Sequence, residues 1–282
     1  MRWNNRLKYV FLLPAVLWVL AFTVFPLLYS LRLSFFNVRI GQEDIFIGLS
    51  NFARAFSDVN ALNAARVTLI FVVGGVVIQL LLGLAFALLF SRPLPARNVL
   101  RTVMTLPLFA TPIAVGFLFF TIFYEEGGLI NGLLGVKIPW LSDPDLALFS
   151  VMLVDVWQWT PFVFIVILAA LQGIPEEYYE AARLESASSW TLFRFITLPM
   201  LQPTIILVIV LRVAEAFKVF DIPFTLTAGG PGASTQVFSM FIYRTSRRFF
   251  DFGYGSALAF LLLIVVLFLL MSFFKRIRQV YQ

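Results

Sequence analysis

Long apolar runs alternate with short charged segments along the whole chain. Four of these runs, each of 23 to 25 residues, contain no Asp, Glu, Lys or Arg. A helix rises about 1.5 Å per residue, so about 20 apolar residues cross the roughly 30 Å hydrocarbon core of a bilayer. Each run therefore predicts a membrane-spanning helix, over residues 9–31, 67–91, 102–124 and 252–274.

Two further apolar segments predict crossings although they contain charged residues. Residues 146–171 are interrupted by Asp155 alone, and residues 200–224 carry Arg212 and Glu215. None of the runs shows the strict alternation of a lipid-facing β-barrel strand. The pattern therefore predicts an all-α, polytopic membrane protein with six transmembrane helices in lipid, folded as a single domain over residues 1–282.

The composition excludes several classes of protein. The chain is 61% hydrophobic and 13% charged, whereas soluble domains carry about 45–50% apolar and about 25% charged residues. A soluble globular protein and a disordered chain are therefore both excluded. The chain has no Cys and no His, which excludes a thiol nucleophile, a histidine base and a Cys/His zinc site. We predict no catalytic residue and no metal site.

The positions of Lys and Arg predict the orientation of the helices. Three short segments carry Lys and Arg without any acidic residue, which is typical of cytoplasmic segments. We therefore predict that both termini and the loop between spans two and three are cytoplasmic, although Arg244–Arg248 in the last outer loop oppose the rule. The clustering of Lys and Arg at the membrane edges also explains the formal net charge of +6. We therefore predict no nucleic-acid partner. The three segments carry Arg2, Arg6 and Lys8; Arg92, Arg97 and Arg101; and Lys275, Arg276 and Arg278.

The segment between spans four and five, residues 172–203, contains helix signals that a simple connector would lack. Pro175 suits the first position of a helix, and two glutamates follow it in the first turn. Ser188 or Ser189 can begin a second helix, which we expect to run from Trp190 to about Thr197 and to be stopped by Pro199. The segment predicts a helix–turn–helix on the cytoplasmic face.

The stretch EAARLESASSWTLFRFITLP in this segment closely resembles the EAA loop of permease subunits in binding-protein-dependent ABC importers. The family pattern is E-A-A, three residues, Gly, nine residues and I-x-L-P. The chain departs from it at Ser186, where a serine would be strained if the glycine position has a positive φ. The matching positions are Glu180, Ala181, Ala182, Ile196, Leu198 and Pro199.

A second stretch, DIPFTLTAGGPGASTQVFSMFIYRTS followed by FDFGYGSA, is similar to the sugar-uptake branch of that family, the maltose and glycerol-3-phosphate type. The resemblance implies transport of a carbohydrate or a related polyol or sugar phosphate across a bacterial or archaeal inner membrane. It also implies two partners, namely a second permease subunit and an extracytoplasmic solute-binding protein. The residues that carry it are Asp221, Thr227, Gly229, Gly230, Pro231, Thr235, Tyr243 and Arg244.

The resemblance also implies that the EAA segment docks onto an ATPase subunit, and that the importer has two ATPase subunits, which bind ATP and Mg²⁺ in place of this chain. The chain has four lysines and none follows a glycine, so it lacks the phosphate-binding P-loop. An ordinary amphipathic connector remains the alternative interpretation of the segment. The expected docking residues are Glu180, Ala181, Ala182, Arg183, Ser186, Ala187, Leu198 and Pro199.

Ionisable residues inside spans are costly and are therefore candidates for function. A span that begins near Met200 places Arg212 close to its middle, with Glu215 on the same helix face. We predict a solute path that includes Asp155, Trp157, Gln158, Arg212 and Glu215. An Asp155–Arg212 or Arg212–Glu215 ion pair that only joins helices is the alternative.

Two other functions compete with the importer subunit. An ion-coupled secondary transporter of a small polar solute would normally show internal repeats, and none is evident between the two halves of the chain. A membrane-embedded enzyme would need a paired-carboxylate or nucleophile constellation, and the sequence contains none. Residues 172–203 favour the importer, because the other two classes do not require a docking segment.

Overall fold

The computed structural model describes residues 5–93, 95–184 and 188–280. Contacts between Cα atoms divide the chain into two compact units, Met1–Leu62 with Phe241–Val265, and Asn63–Met240 with Val266–Gln282. The single domain over residues 1–282 stays a prediction, because the units are defined by contact density and not by function.

Most of the described residues are helical, and the strands among them form one short hairpin, in agreement with the predicted all-α class. The strands of the hairpin are β1 (Phe36–Asn37) and β2 (Ile45–Phe46). The helices are α1 (Asn5–Val19), α2 (Phe25–Ser34), α3 (Ser50–Ser57), α4 (Val59–Ser91), α5 (Arg97–Thr105), α6 (Pro112–Ile122), α7 (Leu129–Leu134), α8 (Pro144–Gln172), α9 (Glu176–Leu184), α10 (Ser189–Leu192), α11 (Leu198–Ala216), α12 (Asp221–Thr227), α13 (Phe238–Tyr243) and α14 (Phe252–Val280).

Five helical segments in the described residues are long and apolar enough to cross a membrane, and a bent pair makes a sixth if it counts as one span. The pair joins Arg97–Phe109 to Pro112–Ile122. If the bent pair counts as one span, the total of six agrees with the number of spans predicted from the sequence. The five unbroken segments are Phe11–Ser34, Val59–Ser91, Pro144–Gln172, Ser189–Ala216 and Phe252–Phe273.

The third span is not the continuous helix that residues 102–124 predicted. α5 continues into a 3₁₀ turn at Leu106–Phe109, and α6 then leaves at an angle of 101°. Ala110 and Thr111 between them have extended backbone, with ψ of 139° and 141°. The cause is Pro112, because a residue before proline avoids the α region and proline itself suits a new helix start. Charge content alone could not reveal this break.

The fifth span also differs from its prediction. It begins at Ser189 and ends at Ala216, whereas residues 200–224 were expected. Pro199 does not stop the preceding helix, so the predicted helix end near Thr197 is wrong. Arg212 consequently lies four residues before the end of α11, and not near the middle of its span as predicted.

A π-helical turn explains how the helix passes Pro199. In the turn Phe193–Thr197 the Leu198 N–H donates to the Phe193 carbonyl, five residues back. This wider turn makes room for the proline ring, which would otherwise clash with the carbonyl four residues before it. The first span uses the same arrangement, with a π turn at Leu20–Val24 two residues before Pro26.

In the first unit, two partly exposed arginines pair with one buried carboxylate, that of Asp251. The Asp251 Oδ2 accepts hydrogen bonds from Arg39 and Arg54, both at 2.9 Å. The Arg54 guanidinium also lies 3.8 Å from the centre of the Tyr254 ring. The Tyr254 hydroxyl in turn donates to Asp58 at 2.9 Å. One acidic residue therefore connects the hairpin, α3 and the start of α14.

The second unit is built around α8, whose faces pack against several neighbouring helices. Phe164 lies in a buried cluster with Phe90 of α4 and Leu201 of α11. α4 approaches α8 closely at Gly83, because a Cβ there would lie 2.5 Å from Val163 Cγ1. This packing brings polar residues of three helices into one buried site.

Candidate functional site

A buried polar cluster joins α4, α8 and α11. The Arg212 Nη2 donates to the Asp155 carboxylate at 3.2 Å, and its Nε donates to the Gln79 side-chain oxygen at 2.8 Å. The Gln79 amide completes the triangle by donating to the same Asp155 oxygen at 2.7 Å. Arg212 and Asp155 are each 2% exposed, and Gln79 is fully buried. Each of the three helices contributes one residue.

The guanidinium of this cluster also contacts an aromatic ring. The Arg212 Cζ lies 4.5 Å from the centre of the Trp159 ring, a distance at which a cation is attracted to the ring face. Trp159 follows Asp155 by four residues on α8 and therefore lies on the same face of that helix. A small pocket of about 180 Å³ adjoins the cluster and is also lined by Glu215, Lys218 and Asp221.

The geometry decides between the two ion pairs that the sequence left as alternatives. The Asp155–Arg212 pair is present. Glu215 instead pairs with Lys218 at 2.8 Å, and both side chains are more than half exposed. Removing one partner of a buried ion pair leaves the other charge buried and unpaired, which costs about 3–5 kcal/mol. The cluster can therefore fix the positions of three helices, while the adjoining pocket offers charged groups to a polar solute.

Sequence reasoning missed Gln79, which is the third member of the cluster. It lies in a charge-free run, where a search for ionisable residues does not find it. A signal was nevertheless present, because Gln79 is the one amide side chain among residues 67–91. An amide at that depth requires a hydrogen-bonding partner on another helix.

The two remaining residues of the predicted path lie apart from this cluster. Gln158 is buried and donates to the Ala110 carbonyl at 2.9 Å, where the broken third span exposes its backbone. Trp157 is 40% exposed and meets the Phe119 ring edge-on at 5.1 Å. It lines a separate, mainly apolar pocket of about 660 Å³ beside Met104. The solute path through all five residues stays a prediction.

α9 contains four of the eight predicted docking residues and presents two different faces. Tyr179 and Ala182 are half-buried, and the Tyr179 hydroxyl lies 3.1 Å from the Thr197 hydroxyl. Arg183 is exposed and follows Tyr179 by four residues, so it lies on the same side of the helix as Tyr179. The other face, with Glu180, Ala181 and Leu184, is exposed, and Leu184 is 88% exposed. Among the residues that the structure describes, nothing in this chain covers that face.

The other docking residues lie beyond α9. Ser186 and Ala187 are outside the described residues. Leu198 and Pro199 are exposed on the helix of the fifth span, directly after its π turn. Ser188 caps the start of that helix, because its hydroxyl accepts from the Thr191 N–H at 3.2 Å. The prediction that Ser188 or Ser189 begins a helix is therefore confirmed.

The second stretch that suggested sugar uptake forms an ordered turn after α12. Thr235 is fully buried, contacts the Thr227 hydroxyl at 2.6 Å and donates to the Gly230 carbonyl at 2.9 Å. Gly229 has a φ of 83°, which a residue with a side chain would adopt only with strain. The two threonines therefore close the Gly229–Pro231 turn from inside. Among the described residues, no group of three acidic side chains is placed to hold a metal ion.

Residues 60–278 match the model of a family described as the binding-protein-dependent transport system inner membrane component. This match covers most of the chain, including the buried cluster and α9. The chain belongs to this family. It is therefore a permease subunit of an ABC-type importer, as the EAA segment predicted.

Curated relatives of this permease cover nearly the whole chain. The trehalose/maltose transport system permease protein MalF of Thermococcus litoralis is 35% identical over 268 residues, which are 93% of this chain and 90% of that protein. The sulfoquinovosyl glycerol permease SmoG of Agrobacterium fabrum is 35% identical and covers 92% of this chain and 87% of its own. The lactose permease LacF of Rhizobium radiobacter is 32% identical, with coverage of 92% and 89%.

The fold of the permease is also similar to that of a solved transporter. A bacterial ABC transporter that imports the acidic polysaccharide alginate matches with a TM-score of 0.87, 24% identity, and coverage of 99% of this chain and 97% of that chain. A second structure of the alginate transporter, in complex with an alginate pentasaccharide-bound periplasmic protein, matches with a TM-score of 0.83. Together with the family match, this likeness favours the importer over a secondary carrier or a membrane-embedded enzyme.

Proposed function

We propose that this permease forms, with a second permease subunit, the translocation path of an ATP-driven importer of a carbohydrate or a related polyol or sugar phosphate. The observation that carries the proposal is the match over more than 90% of the chain to permeases named for trehalose/maltose, sulfoquinovosyl glycerol and lactose. These solutes share several hydroxyl groups, which the charged side chains beside the buried cluster can hydrogen-bond.

In this proposal the exposed face of α9 docks onto an ATPase subunit. The face combines a carboxylate, Glu180, with the apolar Leu184, and small Ala181 lets a partner approach the backbone. Tyr179 and Ala182 on the opposite face attach the helix to its own chain, so that a movement of the ATPase is passed to the fifth span. ATP and Mg²⁺ bind to the two ATPase subunits, and this chain binds no cofactor and is not an enzyme.

The proposed orientation places both termini and α9 in the cytoplasm. The Lys and Arg residues at the termini and between spans two and three support it. An extracytoplasmic solute-binding protein then delivers the solute to the opposite face. The similar alginate transporter, which was solved in complex with a pentasaccharide-bound periplasmic protein, supports such a partner. The solute passes the pocket beside Asp155, Trp159 and Arg212, whose indole ring and charged groups suit the two faces of a sugar ring.

The docking role can be tested by charge reversal at Glu180. We expect Glu180→Lys to insert into the membrane normally but to reduce the co-purified ATPase about tenfold or more, because a like charge or an unpaired charge is placed in the interface. Glu43→Lys, which makes the same charge change at an exposed residue of the outer segment, is the matched control. Equal recovery of ATPase with both variants would contradict the docking role of α9.

A further inference from the structure

A second pocket, of about 590 Å³, lies between α9 and the ends of two spans. Its walls come from the end of α4, the end of α8 and the beginning of the fifth span at Ser189. It is separate from the polar cluster around Arg212 and is not lined by Glu180 or Leu184. The pocket is therefore neither the solute site nor the exposed face that carries Glu180 and Leu184, although Arg183 in its wall is also one of the predicted docking residues.

The charged residues that line this pocket in the described part of the chain are two arginines. Arg92 and Arg183 line it, together with hydroxyl groups such as that of Tyr179, and none of the lining residues that the structure describes is acidic. Within residues 5–93, 95–184 and 188–280, neither guanidinium forms an ion pair with a carboxylate within 4 Å. Two arginines beside hydroxyl donors favour an anionic ligand with several oxygen acceptors, as a phosphate group has.

The remaining walls of the pocket are apolar. Leu88, Leu171 and Phe193 line it. Trp190 also lines it and is 65% exposed. A site for free phosphate would not need such walls, whereas a phospholipid has acyl chains that cover them. Tryptophan is also enriched at the level of the lipid headgroups.

The position of the pocket along the spans supports the same ligand. α4 ends at Ser91 and α8 ends at Gln172, so the pocket lies where two apolar helices leave the hydrocarbon. The continuous helix Ser189–Ala216 begins at its wall, and the partial positive charge of a helix start adds to that of the arginines. Basic pockets at the cytoplasmic ends of spans bind anionic headgroups in other membrane proteins.

We propose that this pocket binds the headgroup phosphate of an anionic phospholipid, with Arg92 and Arg183 on the phosphate and the acyl chains along Leu88 and Leu171. The lipid would lie behind α9, on the side that contacts the permease. The proposal depends on the membrane placement of the chain and not on the docking role of α9. It makes the attachment of α9 sensitive to the lipid around it.

The test uses the intact importer complex, purified in a mild detergent and examined by native mass spectrometry. Phosphatidylglycerol and phosphatidylcholine are added in parallel titrations. We expect the complex to bind phosphatidylglycerol preferentially, and Arg92→Gln and Arg183→Gln each to weaken that binding about fivefold, as expected for the loss of one cation near a lipid surface. Arg194→Gln, an exposed arginine outside the pocket, is the matched control and should bind as the unaltered complex does.

Three outcomes would overturn the proposal. Equal affinity for the two lipids, or equal affinity of all the variants, would show that the arginines do not select an anionic headgroup. Displacement of the lipid by inorganic phosphate alone at similar concentration would identify a free-phosphate site. Binding only after the ATPase is removed would show that the pocket belongs to the docking surface. None of these results depends on whether Glu180→Lys detaches the ATPase.

Discussion

Replacement of Arg212 by methionine tests the buried cluster most sharply. The substitution keeps much of the side-chain volume but removes the hydrogen bonds to Asp155 and Gln79. The Asp155 carboxylate is then left buried without its cationic partner, and the Gln79 amide still donates to it. Breaking a buried pair on one side costs about 3–5 kcal/mol. We therefore expect Arg212→Met to lower the free energy of unfolding by that amount.

The assay is a thermodynamic cycle on the purified permease complex. Asp155→Asn alone leaves the guanidinium without its carboxylate and should be similarly destabilising. The double variant Asp155→Asn/Arg212→Met contains neither charge and should recover most of the loss, because a neutral pair can replace a buried ion pair at little cost. Glu215→Gln is the control, since the exposed Glu215–Lys218 pair contributes about 0.5 kcal/mol or less.

Two results would refute this reasoning. Full stability of Arg212→Met would mean that the guanidinium is not required by the carboxylate. A double variant as unstable as the sum of the two single variants would mean that the residues do not interact. Either result would contradict an intrachain pair that joins α8 and α11.

The double variant also separates a structural role from a transport role. If the cluster only holds helices together, the restored complex should transport at nearly the rate of the unaltered one. If the cluster contacts the solute, the restored complex should assemble but remain deficient in uptake. We predict the second result, because Arg212 and Asp155 line the same pocket as Glu215.

Three further substitutions test the packing that supports these sites. Asp251→Asn removes the carboxylate shared by two arginines in the first unit, and thermal unfolding should show a loss of about 1–3 kcal/mol; an unchanged melting temperature would contradict the cluster. Gly116→Ala places a Cβ 1.7 Å from Thr225 Oγ1 and should cost about 1–3 kcal/mol through overpacking, part of which Thr225→Ala should restore. Gln158→Leu deprives the Ala110 carbonyl of its donor and should cost about 1 kcal/mol; a stability equal to that of the unaltered chain would show that the bond is unimportant.

Much of the architecture could be predicted because hydrocarbon imposes one simple requirement on the sequence. A run of about 20 apolar residues must be helical to satisfy its backbone. The start of α9 could also be predicted, because proline is typical of the first position of a helix and acidic residues are typical of its first turn. Pro175 and the two glutamates after it match this pattern. For the same reason Ser188 could be recognised as a candidate cap.

The positions at which helices are interrupted could not be predicted from apolar content. Pro112 and Pro199 have similar apolar surroundings, yet the first separates two helices at 101° and the second lies within a continuous helix. The difference is the π turn before Pro199, in which the Leu198 N–H bonds to the carbonyl five residues back and not four. Local sequence rules treat both prolines as helix ends.

The buried site was predicted in part. Asp155 and Arg212 could be found because isolated charges inside apolar runs are rare. Their common partner Gln79 and the ring of Trp159 depend on how three helices face one another, which a single sequence does not specify. From its spacing, Glu215 was predicted to lie on the solute path, with an ion pair to Arg212 as an alternative; in the structure it pairs with Lys218 and lines the pocket beside the cluster.

The most direct test of the proposed importer is uptake in proteoliposomes that contain this chain, its partner permease and the two ATPase subunits. With ATP on the side of α9 and the solute-binding protein on the other, we predict uptake of a labelled carbohydrate that stops when either is omitted and when Glu180→Lys is introduced. Uptake driven by an ion gradient without ATP, or unaffected by loss of the binding protein, would contradict the account.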